Sequence, residues 1–244
     1  KPDPALFARW LQEHQPEVLA MQETKCMDDA FPALEFRALG YQVVYSGQKT
    51  YNGVAIASRL PFAGECVNAI PAFDDPQKRV LAATVGDVRI VNLYVVNGEA
   101  VGSEKFEYKL RWLAAVREWL RAELAAYPDM VVLGDFNIAP DDRDVHDPKR
   151  WREKILCSTP EREALQSLLG LGLHDGFRLF HEDGGQYSWW DYRLAAFQRG
   201  WGLRIDLALV SDALKGRCTA AGVEAGPRGW ERPSDHTPVF VEIS

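Results

Sequence analysis

The residues best suited to chemistry follow an apolar run in the middle of the chain. Residues 131–133 are Val-Val-Leu, typical of a strand buried on both faces, and Gly-Asp-Phe-Asn comes directly after them. Alternate residues of an extended chain point the same way, so Asp135 and Asn137 are predicted to face one pocket. There the carboxylate could bind a divalent cation or accept a proton, and the amide could orient a phosphate or a water. An Asx-type turn would explain the same residues, and this stretch alone leaves both interpretations open.

A second acid has the same placement. Residues 18–21 are predicted to form a short buried strand, and Glu23 lies just beyond its carboxyl end. When Glu23 is considered alone, a surface carboxylate paired with Lys25 explains it equally well.

A third acid, Asp206, lies inside a predicted strand at residues 203–210, where a buried carboxylate is costly unless it is paired. His236 follows Asp235 just before the last predicted strand, at residues 239–243. Asp206 could fix the tautomer of this histidine and raise its basicity. Considered alone, His236 is better explained as an ordinary loop histidine.

The elements that must position these residues alternate between strands and helices. Further strands are predicted at residues 41–45, 53–57, 80–85 and 88–96, the last two forming a hairpin that turns at Gly86-Asp87. The second strand of this hairpin carries Tyr94, and Asn97 follows it. Helices are predicted to begin at Asp3-Pro4, after Ser103, and at residues 158–169, while residues 141–157 are predicted to form a long loop.

Composition indicates a globular protein. Of 244 residues, 47% are hydrophobic and 26% are charged, and no run approaches the roughly 18 apolar residues that a membrane span requires. We expect neither a span nor an apolar leader. The four cysteines are far apart and form no Cys-x-x-Cys pair, which favours reduced thiols in a cytosolic setting.

The net charge of −7 argues against a protein that coats nucleic acid by bulk electrostatics. It does not exclude a nuclease, because a site built from carboxylates to bind metal is itself acidic, and a local basic rim can still attract DNA.

Taken together, the motifs resemble those of the exonuclease III family of DNA-repair nucleases, within the wider endonuclease/exonuclease/phosphatase superfamily. They occur in the family's order over nearly the whole chain: Gln-Glu-Thr-Lys at 22–25, Gly-Gln-Lys at 47–49, Gly-Val-Ala-Ile at 53–56, Gly-Asp-Phe-Asn-Ile-Ala-Pro at 134–140, Trp-Trp-Asp-Tyr-Arg at 189–193, Gly-Leu-Arg-Ile-Asp at 202–206 and Pro-Ser-Asp-His-Thr-Pro at 233–238. A lone Gly-Asp-Phe-Asn would be a weak signal, but the ordered set is specific.

The resemblance implies an α/β fold, the DNase I-like four-layer sandwich of two packed, mostly antiparallel sheets flanked by helices, with residues 1–244 as a single domain. Family members use Mg²⁺ or Mn²⁺ to cut a phosphodiester 5′ to an abasic site, to remove 3′-blocking groups, or to degrade DNA from a 3′ end. The family usually begins with a strand carrying a Trp/Phe-Asn-Val-Asn-type motif. This sequence starts at Lys1, just after that segment, so the strand and its asparagine are missing from it. Two explanations stay open: the sequence is truncated, or the strand is genuinely lost, which would predict a crippled, unstable enzyme.

Site roles also follow from the resemblance. Glu23 would be a metal ligand, with Asp235 close to the metal. The catalytic residues would be Asp135, Asn137, Asp206, His236 and Tyr94. Asp135 would orient or deprotonate the attacking water, and Asn137 would hold that water and the phosphate. His236, held by Asp206, would bind the phosphoryl oxygen, and Tyr94 would reach the phosphate or the leaving group. In-line attack on a phosphodiester needs such a set, and the absence of Cys/His ligand spacing argues against zinc.

Several residues are predicted to contact DNA. Trp189 and Leu203 match positions that wall the pocket for a flipped-out abasic sugar in relatives, with ordinary sheet core as the alternative. Candidate backbone phosphate contacts, each equally explained by a solvated surface role, are Lys49, Asn97, Lys105, Arg193 and Arg204. Leu156 lies in a loop that aligns close to the pocket, where bulkier side chains would favour 3′ ends or nicks over internal sites. A leucine is intermediate, and it would also serve as a hydrophobic loop anchor.

The expected partner is double-stranded DNA with abasic sites, nicks or 3′ ends, and the expected protein is a monomer of the bacterial cytoplasm, associated with the nucleoid and not with a membrane. Three alternatives remain at this stage. One is a 3′-end-processing member with little internal abasic-site activity, and another is a non-catalytic member that binds nucleic acid. The third is a phosphatase acting on lipid or inositol phosphates, against which the 189–193 segment and the Gly-Gln-Lys loop argue.

Overall fold

Helices and strands are interleaved along the whole described chain. The computed structural model describes residues 4–244, with side chains from residue 8 onward, so the predicted cap at Asp3 lies outside the described residues. The helices are α1 (Pro4–His14), α2 (Ala33–Ala38), α3 (Glu104–Ala126), α4 (Pro148–Trp151), α5 (Thr159–Leu169) and α6 (Asp212–Lys215). The strands are β1 (Val18–Gln22), β2 (Gln42–Ser46), β3 (Val54–Ser58), β4 (Phe62–Val67), β5 (Val80–Val85), β6 (Val88–Tyr94), β7 (Met130–Asp135), β8 (Leu173–Asp175), β9 (Trp189–Trp190), β10 (Gly202–Leu203), β11 (Asp206–Ser211), β12 (Cys218–Val223) and β13 (Val239–Ile243). Within residues 4–244, no helix combines the length and the apolar character needed to cross a bilayer.

The larger sheet contains β7, the strand that ends at Asp135. Its strand order is β4-β5-β6-β7-β11-β8, and β7 lies between β6, to which it is parallel, and β11, to which it is antiparallel. The other neighbouring pairs are antiparallel, including the β5–β6 hairpin predicted to turn at Gly86-Asp87. A central position with paired strands on both sides explains why residues 130–133 of β7 are all apolar.

A second layer consists of two smaller antiparallel sheets, β1-β3-β2 and β12-β13. Alternation along β5 separates two cores: Val80 and Ala82 pack towards α3 and α5, whereas Leu81 and Ala83 pack towards the smaller sheets. A further core beneath α1 and α2 includes Leu11. The order of layers is therefore helices, large sheet, smaller sheets, helices, which confirms the expected four-layer α/β sandwich.

One buried amide joins the two sheet layers. Asn92 of β6 is 0% exposed, and its Nδ2 donates to the carbonyl oxygens of Met21 at 2.9 Å and Ala55 at 3.0 Å. Its Oδ1 accepts a hydrogen bond of 2.7 Å from Nε2 of Gln22. A buried amide is tolerated only when its hydrogen bonds are made, so these contacts fix β6 in one position against β1 and β3.

Two local predictions are corrected by the structure. The apolar run at 203–210 is not one strand, because β10 ends at Leu203 and β11 begins at Asp206. The loop predicted at 141–157 contains a 3₁₀ turn at Asp142–Asp144 and helix α4, both capped by aspartate side chains. These short elements were missed because they carry no apolar periodicity, only capping residues.

The close approach of β6 and β7 predicts that Gly134 cannot be replaced. Gly134 has φ +137°, and a Cβ atom added there would lie 2.0 Å from the carbonyl oxygen of Leu93. We expect Gly134→Ala to lower the free energy of unfolding by roughly 2–4 kcal/mol, through strain and overpacking. Urea unfolding measures this. Gly216→Ala is the control, because a Cβ at Gly216 meets nothing within 4 Å. Equal stability of the two variants would contradict the prediction.

Candidate active site

Strand register brings three of the predicted site residues into one row at the rim of the large sheet. Asp135 is the last residue of β7, and its Cα partners are Tyr94 on β6 and Asp206 on β11. Asp135 is 4% exposed and Asp206 is 8% exposed. Two acids on adjacent strands are thus held side by side in a largely buried position, and the backbone ladder itself produces this arrangement.

Asp135 and Asn137 form an Asx-type turn. The backbone N–H of Asn137 donates to Oδ1 of Asp135 at 2.9 Å, and Nδ2 of Asn137 donates to Oδ2 at 3.2 Å. Asn137 has φ +49°, so the backbone here is not extended. The prediction that Asp135 and Asn137 face one pocket because alternate residues of a strand point the same way is therefore wrong in the reason it gave. They do meet, but the turn brings them together. Nδ2 also donates to the carbonyl oxygen of Val95 at 2.9 Å, so both amide hydrogens of Asn137 are used.

His236 contacts both acids of the row. Its Nδ1 lies 2.9 Å and 3.0 Å from the two carboxylate oxygens of Asp206, and its Nε2 lies 3.8 Å from Oδ2 of Asp135. A β-bridge between His236 and Trp189 places the backbone of this loop. The predicted pairing of Asp206 with His236 is therefore present in the structure.

Glu23 reaches the same site from the second sheet. Its Oε1 accepts a hydrogen bond of 2.8 Å from the hydroxyl of Tyr94, and its Oε2 pairs with Lys25. The structure therefore combines the two interpretations of Glu23, since it pairs with Lys25 and also faces the row of acids. Asp235 accepts a hydrogen bond of 3.0 Å from Nε1 of Trp189 on its Oδ2.

Burial and mutual charge shift the protonation of the site. Burial, together with the charge of Asp206, raises the pKa of Asp135 to about 7, although the charge of His236 opposes the shift. Burial alone would lower the pKa of His236, but the carboxylates of Asp206 and Asp135 outweigh it and raise that pKa to about 10. The pKa of Glu23 is also raised by burial, but hydrogen bonds from Lys25 and Tyr94 bring it below its ordinary value. At neutral pH the site thus contains a carboxylate that can accept a proton next to a charged imidazolium.

The donor set fits a hard divalent cation. One ligand atom each from Asp135, Asp206 and His236 lies within 4.8 Å of the others, the one such group found among the described residues. While His236 is an imidazolium it has no lone pair to offer a metal, so the carboxylates are the donors that could bind one. Glu23 lies close enough to influence the pKa values of Asp135 and Tyr94. A few carboxylate oxygens do not complete the coordination shell of a cation. Such a site suits a divalent ion that keeps several bound waters, as Mg²⁺ does. The assignment of Glu23 and Asp235 as its ligands stays a prediction.

Comparison with protein families agrees with this geometry. A profile described as the Endonuclease/Exonuclease/phosphatase family matches residues 1–236. The chain belongs to this family.

Relatives within the family confirm the predicted resemblance to exonuclease III and the DNase I-like fold. Exodeoxyribonuclease III of Haemophilus influenzae is 35% identical over 245 residues, covering 96% of this chain and 92% of that protein. The structure of a 3′ phosphatase from Neisseria bound to product DNA hairpin is 48% identical with a TM-score of 0.97, covering 99% of this chain and 94% of that chain. The structure of an AP endonuclease from Archaeoglobus fulgidus is 34% identical with a TM-score of 0.92, covering 97% of this chain and 92% of that chain.

The residues that matched the family's abasic-sugar pocket form a closed apolar cluster. Leu203 is 0% exposed and Leu156 is 5% exposed, and both pack with Val145, whereas Trp189 is half-buried at the edge of the cluster. Leu203 therefore offers no open surface to a sugar, and Leu156 does anchor its loop, which was the alternative explanation. Of the predicted pocket wall, only Trp189 retains substantial exposed surface.

The environment of Arg204 contradicts its predicted contact with a DNA phosphate. Its side chain is 1% exposed, with Nε 2.7 Å from Asp144 and one terminal nitrogen 2.6 Å from Asp175. A guanidinium held by two buried carboxylates is not available to DNA, so the prediction for Arg204 is wrong.

The other four candidate phosphate contacts are exposed at the surface. Arg193 is bound to Asp191, Lys105 pairs with Glu99, and Nδ2 of Asn97 donates to Oδ1 of Asn137 at 3.1 Å. Lys49 is also exposed. Exposed ion pairs are weak, so Arg193 and Lys105 can exchange their carboxylate partners for phosphate.

Three buried polar residues of the site were missed by the sequence analysis. Ser188 is 0% exposed, and its Oγ accepts hydrogen bonds of 3.0 Å from the backbone N–H groups of Ile205 and Asp206. Lys109 and Glu161 form a buried pair beside Asn137. A signal for Lys109 was available, because it interrupts the apolar face of its helix three residues after Phe106.

The charges around His236 predict its titration in the metal-free protein. In the presence of chelator we expect the imidazolium to persist through neutral pH and to titrate near 10, rather than at its ordinary value of 6.5. Ring ¹⁵N chemical shifts measured against pH test this. Asp206→Asn should move the midpoint down, because it removes the carboxylate in direct contact. A midpoint near 6.5 in the unmodified protein would show that the carboxylates do not hold the charge.

Proposed function

We propose that this chain is a divalent-cation-dependent DNA-repair phosphodiesterase of exonuclease III type that acts chiefly on phosphoryl groups at the 3′ ends of double-stranded DNA. The observation that carries the proposal is the row of Tyr94, Asp135 and Asp206, with His236 placed against both acids. We infer that the cation is Mg²⁺ or Mn²⁺ and that the protein is a monomer, formed by a single domain, in the bacterial cytoplasm near the nucleoid.

Glu23 and Asp235 would hold the cation at the rim of the site. Both carboxylates already accept hydrogen bonds, from Tyr94 and Trp189 respectively, which would orient them as ligands. When bound, the cation would neutralise charge on the non-bridging oxygens of the phosphate.

Asp135 is the group best placed to take a proton from an attacking water. Its pKa of about 7 makes it a base that is available at neutral pH. Asn137 donates two hydrogen bonds to this carboxylate, so its main work is to orient Asp135. The expectation that Asn137 also holds the phosphate fits less well, because both of its amide hydrogens are engaged inside the protein.

His236 and Tyr94 supply the complementary protons. The imidazolium of His236 can donate from Nε2 to a phosphoryl oxygen, while Asp206 holds Nδ1. Burial and the charge of Glu23 raise the pKa of Tyr94, so its hydroxyl remains protonated and can donate towards the leaving oxygen.

Two observations favour 3′ ends as the substrate. Leu203 and Leu156 fill the apolar cluster that an abasic sugar would otherwise enter, and the Neisseria structure with 48% identity is of a 3′ phosphatase. Incision at internal abasic sites is the second candidate. It is favoured by the half-buried edge of Trp189 and by the 34% identity with the Archaeoglobus AP endonuclease.

Loss of either proton-transfer group should abolish most of the activity. We expect Asp135→Asn and His236→Ala each to lower turnover at least about 100-fold, as for loss of an acid–base or electrostatic group. The assay is release of phosphate from a nicked duplex with a 3′-phosphate. His174→Ala is a matched control at a surface histidine paired with Asp212, and it should leave the rate unchanged. A loss under tenfold in both site variants would refute these roles.

The order of substrate preference tests the reaction itself. Three duplexes are compared, one with a 3′-phosphate at a nick, one with a recessed 3′ end and one with an internal abasic analogue, each with Mg²⁺ and with chelator. We expect the fastest reaction at the 3′-phosphate, the slowest at the abasic analogue, and none with chelator. Faster incision at the abasic analogue would support the second candidate. No reaction on any substrate with Mg²⁺ would leave a non-catalytic member as the better description.

The apolar cluster that contains Leu156 and Leu203 predicts what happens when the Leu156 side chain is removed. Leu156 has φ +71°, which glycine adopts without strain, so Leu156→Gly should open the cluster without distorting its loop. We expect the rate on the internal abasic analogue to rise at least about threefold relative to the 3′-phosphate. Leu156→Met, which conserves volume, is the control. An unchanged ratio in Leu156→Gly would show that this side chain does not limit substrate choice.

A further inference from the structure

A lysine and a glutamate are completely buried behind the active site. Lys109 of α3 and Glu161 of α5 both have 0% exposed side chains, and Nζ of the lysine pairs with Oε1 of the glutamate. Burial lowers the pKa of Lys109, and Glu161 opposes that effect. A buried charge pair persists only where further hydrogen bonds satisfy its remaining donors and acceptors. Those further bonds connect the pair to the site.

Lys109 holds the two segments that leave the parallel strands β6 and β7. Its Nζ donates to the carbonyl oxygen of Asn137 at 2.7 Å and to that of Asn97 at 3.1 Å. With Glu161 as the third acceptor, all three ammonium hydrogens are used. The side chains of Asn97 and Asn137 are also joined by a hydrogen bond. The lysine therefore fixes the backbone of the residue whose two donors orient Asp135.

Glu161 holds the loop that carries Leu156. Its Oε1 accepts a hydrogen bond of 3.0 Å from the backbone N–H of Leu156. Its Oε2 accepts hydrogen bonds from the backbone N–H of Ser158 at 3.1 Å and from the Ser158 hydroxyl at 2.6 Å. The carbonyl oxygen of Leu156 accepts from the N–H of Ala139 at 2.8 Å, which ties the loop back to the segment after Asn137.

We propose that the Lys109–Glu161 pair is a positioning device that couples the Asp135–Asn137 turn to the loop at Leu156. Movement of the loop then changes the orientation of the Asp135 carboxylate, so turnover and substrate choice depend on one buried contact. The kinetic part of this inference rests on the proposed function, whereas the structural coupling does not.

Helix capping alone does not account for the pair. Ser158 and Glu161 form a capping box that completes the first turn of α5 without any lysine. The contacts of Lys109 with two backbone carbonyl groups lie outside that motif. Gly98 leaves room for them, because a Cβ there would lie 3.1 Å from Cδ of Lys109 and 3.0 Å from Cδ1 of Ile155. The chain is thus arranged to admit the lysine stem beside the loop.

The double variant Lys109→Met/Glu161→Gln tests the coupling without leaving an unpaired buried charge. The matched control is Arg89→Met/Glu123→Gln, which removes a second buried ion pair. Arg89 lies at the start of β6, at the end of that strand away from the site, and Glu123 lies on α3; their side chains are 1% and 13% exposed. Hydrogen–deuterium exchange is measured on both folded proteins. In the test variant we expect residues 137–139 and 154–158 to exchange about tenfold faster, and in the control variant neither segment should change.

Steady-state kinetics on the 3′-phosphate and abasic duplexes provide the second readout. After correction for the folded fraction, we expect the test variant to lose about tenfold or more in kcat with little change in KM, and to shift the ratio between the two substrates. The control variant should retain both the kcat and the ratio.

A milder variant acts from the loop side only. Ser158→Ala removes the hydroxyl donor to Glu161, and we expect it to lower kcat about threefold although Ser158 is buried away from the acids. Equal exchange in the test and control variants, or kcat losses that follow only the loss of thermal stability in both, would overturn the coupling. If the unmodified protein cleaves neither substrate, the proposed function fails, and the exchange measurement still decides the coupling.

Discussion

The site depends on one polar contact between two apolar layers. Asn92 lies in the core between the sheets and bonds to the backbone of β1 and β3 and to Gln22. Apolar packing alone permits two sheets to slide, because dispersion and burial are not directional. A buried amide has fixed partners and a high cost if it loses them. Two residues further along β6, on the same face, Tyr94 meets Glu23 from the other sheet. The amide thus sets the alignment that this contact requires.

Alignment of the sheets brings several carboxylates together at the site, and neighbouring cations offset part of their negative charge. Asp135 and Asp206 are adjacent and largely buried, so the charge of Asp206 adds to burial in raising the pKa of Asp135. The imidazolium of His236 offsets part of this repulsion, and Lys25 does the same for Glu23. A remaining excess of carboxylate favours binding of a divalent cation. The same excess raises the proton affinity of Asp135, which is the property that a base at neutral pH needs.

Other charges are used to build the site rather than to meet substrate. Arg204 is enclosed by Asp144 and Asp175 beneath the apolar cluster, and Lys109 and Glu161 are enclosed behind the Asn137 turn. Such pairs contribute little net stability compared with apolar packing, but their hydrogen bonds permit only one arrangement of the segments they join. In a site where donors must be held in place, this specificity is a functional asset.

The sequence by itself determined the family and singled out the candidate site residues and most of the strands that carry them. Apolar runs, caps and the ordered motifs are local signals, and they were sufficient for β7, the β5–β6 hairpin and the family. Only the tertiary structure decided which charges remain available. Arg204 and Lys109 are ordinary cations in the sequence, and their burial depends on acids 29 or more residues away. Asn137 contacts Asp135 through an Asx-type turn, whereas the sequence had predicted that both side chains point the same way from an extended strand. Periodicity is a property of neighbouring residues, whereas the partner of a charge is fixed by contacts that form only when the chain is folded.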